Sequence, residues 1–233
     1  MSGVLQTLVG SYGLNIITSG LILNLDASKI SSYPGSGTTW FDISGNGNNG
    51  TLTNSPTYNS DNGGIFVFNG SNQMITGVHN AGIETIGSMT SEVWFNISVD
   101  SGDWVRVIGK GDVNNRTHGL WYNIPSSYFL FQRYGSSVMN ILYSATVSRN
   151  VWYHMAGVTD GTNNSLYLNG SLVGTATGPA TYFTSTQPYT LAYHGGIHAY
   201  HNGKIGEGRL YNRSLNAAEI SQNFNATRFR YGI

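Results

Sequence analysis

The run Ser165-Leu-Tyr-Leu-Asn-Gly-Ser-Leu-Val173 decides the fold class. Its Asn169-Gly170 pair stands between two short strand-like runs, and a type I′ turn needs positive φ at both central residues, which Asn and Gly tolerate best. The run therefore predicts a tight antiparallel hairpin. Upstream, residues 152–158 and 104–108 read as further strands with aromatic entries. Residues 91–97 alternate, with Val93, Phe95 and Ile97 on one face and Glu92, Trp94 and Asn96 on the other. Leu21–Asp26 is another strand, entered from Gly20. Turn chemistry separates such runs at residues 33–37, 44–50 and 59–64, and at Asp160-Gly161 and Asn202-Gly203. About fifteen short strands at this spacing predict an all-β chain folded as an antiparallel two-sheet β-sandwich, a jelly roll.

One segment breaks the pattern. Asn216-Ala-Ala-Glu219 is a capping-box variant, and Leu215 and Ile220 hold the staple positions around it. A short C-terminal helix should follow, docking on the sandwich through Ala217, Ile220 and Phe224. No repeat and no long linker divides the 233 residues. The expected organisation is an N-terminal arm, residues 1–20, and one jelly-roll domain, residues 21–233. The arm is uncharged and holds Leu5, Leu8, Val9, Leu14, Ile16 and Ile17, so it should anchor the protein or knit a homo-oligomer.

Composition narrows the function classes. Eleven acids balance eleven bases, and only 9% of residues are charged, against about 25% in ordinary soluble proteins. With 25 Asn, 26 Ser and 31 Gly, the surface must be polar but neutral. That argues against a nucleic-acid groove and a polybasic membrane patch. No apolar run approaches a membrane span. No basic region followed by an apolar signal core opens the chain, so ordinary secretion is not expected. The absence of cysteine excludes disulfides and thiolate metal sites. Charge is divided along the chain: residues 1–105 hold seven acids and one base, and residues 106–233 hold four acids and ten bases. In a sandwich the two halves interleave, so this asymmetry should cancel in space.

The motifs, taken in order, resemble a known family. Gly20-Leu-Ile-Leu-Asn-Leu-Asp26, Tyr33-Pro-Gly-Ser-Gly-Thr-Thr-Trp40 and Asp42-Ile-Ser-Gly-Asn-Gly-Asn-Asn-Gly-Thr-Leu52 are similar to the opening of laminin G-like, concanavalin A-like jelly rolls. Val151-Trp-Tyr-His-Met155 followed by Leu166-Tyr-Leu-Asn-Gly-Ser-Leu172 resembles that family's "W-H…Y-N-G" strand pair. Residues 202–215 with Ala218-Glu-Ile220 resemble its closing strand and helix. The run through Trp40 and the tail Asn223-Phe-Asn-Ala-Thr227 before Arg230-Tyr-Gly232 look like the versions found in tailed-phage structural proteins. The resemblance implies a non-enzymatic virion protein on a capsid or tail, assembled in the host cytoplasm. Its partners would be other virion proteins, its own copies and host-surface glycans. The alternative is a stand-alone carbohydrate-binding module, and the third reading a glycoside hydrolase.

Candidate residues follow. A glycosidase needs two carboxylates flanking the scissile bond. The chain has four Glu (84, 92, 207 and 219), none with an acidic neighbour within four positions, so no paired motif supports catalysis. No cofactor is required on this reading. Calcium, which some laminin G-like relatives bind, would draw on Asp26, Asp42 and Glu207, against the plainer reading of turn chemistry. The most distinctive cluster is Tyr193-His194-Gly-Gly-Ile-His198-Ala-Tyr200-His201. Its glycines predict a surface loop. A neutral surface must recognise partners through aromatic faces, amides and imidazoles, so Tyr193, His194, His198, Tyr200 and His201 are the expected ligand or partner contacts.

Overall fold

The computed structural model describes residues 14–84, 87–193, 196 and 198–233. Its strands, in chain order, are β1 (Leu21–Asp26), β2 (Thr39–Trp40), β3 (Gly50–Thr53), β4 (Thr57–Asn59), β5 (Ile65–Asn69), β6 (Met74–Thr76), β7 (Ser88–Ile97) and β8 (Val105–Lys110). They continue with β9 (His118–Asn123), β10 (Tyr128–Tyr134), β11 (Val138–Ser144), β12 (Trp152–Asp160), β13 (Asn163–Leu168), β14 (Ser171–Thr177), β15 (Tyr189–Leu191) and β16 (Asn202–Tyr211). One α-helix, α1 (Ala217–Thr227), follows.

The strands form two eight-stranded antiparallel sheets. The first runs β14-β13-β12-β7-β16-β5-β4, with β1 also paired to β16. The second runs β11-β10-β9-β8-β15-β6-β3-β2. The expected jelly-roll sandwich is the fold observed. The hairpin at Asn169-Gly170 joins β13 to β14 with φ of 49° and 77°, the positive pair a type I′ turn demands. Asn202-Gly203, in contrast, is no turn: both residues lie inside β16. Gly203 is needed there for close approach, because a Cβ would sit 2.1 Å from the Asn96 carbonyl oxygen.

Between the sheets lies one continuous apolar core, including Trp40, Phe66, Val93, Phe95, Ile97, Tyr122 and Phe131. The far face of the first sheet is also covered. There α1 and the turn after it bury Trp94, Trp152, Phe224 and Tyr231 as a second layer. Consequently β7 is buried on both faces, not one: Glu92 and Trp94 are as deep as Val93 and Phe95. The helix starts as its sequence dictates. Asn216 accepts from the Glu219 N–H, and Glu219 accepts from the Asn216 N–H, a reciprocal cap worth about 1 kcal/mol. Ile220, Asn223, Phe224 and Thr227 face the sheet, whereas Ala217 is exposed.

Residues 1–13 of the arm lie outside the described residues. Its remainder is held to the domain: Ile17 N–H donates to Asn223 at 2.8 Å, and the Tyr211 hydroxyl donates to the Ile17 carbonyl at 3.0 Å. The charge asymmetry cancels as topology requires. Asp26 pairs with Arg230 at 3.0 Å, Glu84 with Lys110 at 3.0 Å, and Glu92 approaches Arg209 at 3.7 Å.

Candidate functional site

The second sheet keeps part of its outer face open, and strand alternation decides what stands there. Leu120, Tyr122, Phe129 and Phe131 point into the core, so Trp121, Leu130 and Gln132 point outward. With Trp104, Arg116 and His198 they line a cleft of about 190 Å³. Arg106 lies beneath it. Gly109 and Gly119 face each other across β8 and β9, and a Cβ on either would fall within 2.8 Å of Arg106 Cδ. The two glycines thus leave a trough in which the arginine stem lies flat. Its guanidinium donates to the Tyr193 carbonyl at 3.3 Å and to the Thr190 hydroxyl at 2.8 Å.

Around the Trp121 indole the groups are polar at the rim. Arg106 and Arg116 stand 5.7 and 5.9 Å from its ring centre. Arg116 also donates to the Tyr134 hydroxyl at 2.6 Å. The His198 ring meets Trp121 edge-on at 5.5 Å and 82°, and its Nδ1 lies 3.1 Å from an Asp103 carboxylate oxygen. Half-buried Trp104 adds a second indole. Aromatic faces, an amide, a guanidinium and an imidazole–carboxylate pair therefore converge on one small depression. Such a set binds hydroxyl-rich rings: apolar sugar faces lie on the aromatics, and hydroxyls hydrogen-bond the polar groups.

The predicted loop cluster is divided by the structure. Tyr193 and Tyr200 stack on each other, 4.0 Å apart and 5° from parallel, clasping the two ends of the loop. His198 lines the cleft. His194 lies outside the described residues. His201 is not a surface contact. It is fully buried: its Nε2 donates to the Lys204 carbonyl at 3.4 Å, and its Nδ1 accepts from the Tyr122 hydroxyl at 3.1 Å. Burial lowers its pKa to about 4, which keeps it neutral. The false turn at Asn202-Gly203 is the reason for the misplacement, since a strand entering the core begins there.

Two of the three carboxylates named for calcium do meet, but around arginine. Arg230 pairs with both Asp26 and Glu207, and Glu207 also pairs with Arg209 and accepts from Tyr231 at 3.0 Å. A guanidinium thus stands between Asp26 and Glu207, where a bridging cation would have to sit. Asp42 organises its own turn, accepting from the N–H groups of Asn24, Ser44 and Asn48 at 2.8–2.9 Å. Among the described residues no group of three or more His, Asp or Glu is arranged to hold a metal ion. Glu92 lies under α1, bonded through both oxygens to the Asn223 amide, and burial raises its pKa to about 7. It faces no cleft. What the sequence did not single out is Arg106, Arg116 and Gln132; outward parity on β10 was the available signal for Gln132 alone.

The fold and cleft define a lectin-type jelly roll, and comparison with known proteins agrees on the fold. Over residues 69–221 the chain matches the concanavalin A-like lectin/glucanases superfamily, and it belongs to that family. No curated protein matches it in sequence. Similar solved structures include the binding domain of Paraclostridial Mosquitocidal Protein 1, with a TM-score of 0.71 and 16% identity over 89% of this chain and 52% of that one. The receptor binding domain of botulinum neurotoxin C/D mosaic serotype gives 0.69 and 15%, over 89% and 51%. A botulinum neurotoxin type C structure, from a description of cell entry dependent upon two ganglioside molecules, gives 0.70 and 18%, over 91% and 52%. The chain spans about half the length of each.

Proposed function

We propose that the chain is a non-catalytic, lectin-like carbohydrate-binding module whose ligand lies in the cleft between Trp104, Trp121, Gln132 and His198. The observation that carries this reading is the convergence of the half-buried Trp104 indole with an amide, a guanidinium and the His198–Asp103 pair at a cleft lined from below by the buried Trp121. The toxin binding domains of similar fold, one described with gangliosides, support it. The non-catalytic part rests on the cleft lining, which contributes no pair of carboxylates; Glu92 is buried beneath α1 on the other sheet. The virion role stands behind this reading, because it rests on the resemblance of residues 33–40 and 223–232 alone.

A glycan array probed with the purified chain tests the proposal. Binding to a defined set of glycans, reduced about tenfold or more by Trp104→Ala with the melting temperature kept, is the expected result. No bound glycan, or unchanged binding in Trp104→Ala, overturns it.

A further inference from the structure

Two guanidinium groups lie 5.7 and 5.9 Å from the ring centre of one indole at the cleft. On the opposite outer face two arginines have acidic partners: Arg209 has Glu207, and Arg230 has Asp26 and Glu207. Arg106 and Arg116 form no ion pair among the described residues. Arg106 is completely buried, with Nη1 lacking any hydrogen-bond partner there, and Arg116 Nε is likewise buried and unpartnered. Buried donors are ordinarily satisfied, and these two guanidinium groups beside one depression keep hydrogen-bonding capacity that the described residues do not use. The nearest carboxylates are committed elsewhere. Asp103 holds His198, and Asp112 accepts from the N–H groups of Asn114 and Asn115 at 2.9 and 3.0 Å.

Resting on the carbohydrate-binding reading above, we infer that the cleft selects a glycan carrying a carboxylate, with Arg116 as the direct contact and Arg106 as the charge behind it. A guanidinium presents parallel N–H groups that match the two oxygens of a carboxylate, and such charge-assisted bonds are the strong ones. Arg116 is partly exposed and lines the cleft, so it reaches a ligand without rearrangement. Arg106, sealed under Trp121 and the Tyr193 loop, acts through space. Burial and the nearby Arg116 lower its pKa to about 9, which leaves it charged at neutral pH. On a chain of zero net charge, this local positive field is what separates an acidic sugar from a neutral one.

Two matched ligand pairs test the inference by calorimetric titration: 3′-sialyllactose against its methyl ester, and tetragalacturonate against its methyl ester. Each pair differs in the carboxylate. In at least one pair the acid should bind about tenfold tighter than its neutral partner, with the gap shrinking as sodium chloride rises. Arg116→Gln should close the gap by lowering the acid's affinity to that of its neutral partner, and Arg116→Lys should restore it only in part. Neutral sugars bound as well as acids in both pairs, or a gap that survives Arg116→Gln, overturn the inference and leave the lectin reading standing. No binding of any of the four sugars, together with an empty glycan array, overturns both.

Discussion

The two outer faces of the sandwich are made from the same residue types and do opposite things. On the first sheet, Trp94 stacks on Tyr231 at 4.2 Å and on Phe224 at 5.6 Å, and its indole N–H donates to Thr227 at 2.9 Å. The arginines there, Arg209 and Arg230, are matched by Glu92, Glu207 and Asp26. On the second sheet, the buried Trp121 also lies near two arginines, yet among the described residues no α-helix packs there and no carboxylate forms an ion pair with either. Aromatic rings with paired charges make a sealed layer; aromatic rings with unpaired charges leave room for the acidic ligand proposed above. Inventory alone does not separate stability from recognition, whereas partnering does.

The sharpest way to break this comparison is to unbalance the sealed face. Glu207 is fully buried and accepts from Arg209, Arg230 and Tyr231. Glu207→Leu leaves Arg209 with Glu92 alone and Arg230 with Asp26 alone, and removing one partner of a buried ion pair costs about 3–5 kcal/mol. For a domain of this size that lowers Tm by roughly ten degrees, measurable by calorimetry. Glycan affinity of the folded fraction should be unchanged, because the cleft lies on the other sheet. Equal losses of stability from Glu207→Leu and Arg116→Gln would remove the distinction between the faces.

The second test uses pH. Burial lowers His201 to about 4, and burial together with Arg209 lowers His154 to about 3. Both are neutral in the folded chain and protonate near 6.5 when unfolded. Between those values the unfolded state binds more protons, so stability falls as pH drops from about 6.5 toward 4. Glu92 works the other way: its pKa of about 7 adds stability below pH 4.5 that is lost as pH rises through 7. Comparing wild type with His201→Gln isolates the one histidine, since Glu92 and His154 are common to both. The difference in urea unfolding free energy should shrink by about 3 kcal/mol between pH 7 and 4. Parallel pH profiles would show that His201 is not buried neutral.

What the chain made legible, and what it hid, follows the range of the interaction. Asn169-Gly170 and the Asn216–Glu219 cap are local devices, each closed within three or four residues, and both stand where the sequence put them. The buried pairs are not local. Arg230 reaches Asp26 across 204 residues, and Asn223 reaches Glu92 across 131. Nothing in either neighbourhood announces the partner. Alternation in residues 91–97 gave the correct faces of β7 but could not show that α1 would close the second one. His201 failed for a different reason: Asn-Gly is a strong turn signal, and here Gly203 answers instead to the close approach of Asn96. Of the residues lining the cleft, His198 stood out in the sequence through its unusual clustering, whereas Tyr193 and Tyr200 from the same cluster stack on each other beside it. Arg106 and Arg116 were hidden, because what distinguishes an arginine that binds from one that braces is whether folding brings it an acid.

The smallest change in stability should come from the histidine that does reach the surface. His198 is partly exposed, and its pair with the more exposed Asp103 is the kind of ion pair that contributes between zero and about 1 kcal/mol. Its ring covers the edge of Trp121 without entering the core. His198→Ala should therefore shift unfolding free energy by no more than about 0.5 kcal/mol, in contrast to His201→Gln three residues away. Binding should respond differently, because the imidazole stands at the rim of the cleft, where a hydrogen bond to a sugar hydroxyl would add to the indole contacts. Losing one such bond lowers affinity by about three- to tenfold, read by titration with whichever glycan the array identifies. Asp103→Asn provides the control: it keeps an acceptor beside Nδ1, so it should retain most of the affinity. If His198→Ala binds its glycan as well as wild type, the rim of the cleft does not touch the ligand, and the contact surface must be moved toward Arg116 and Gln132.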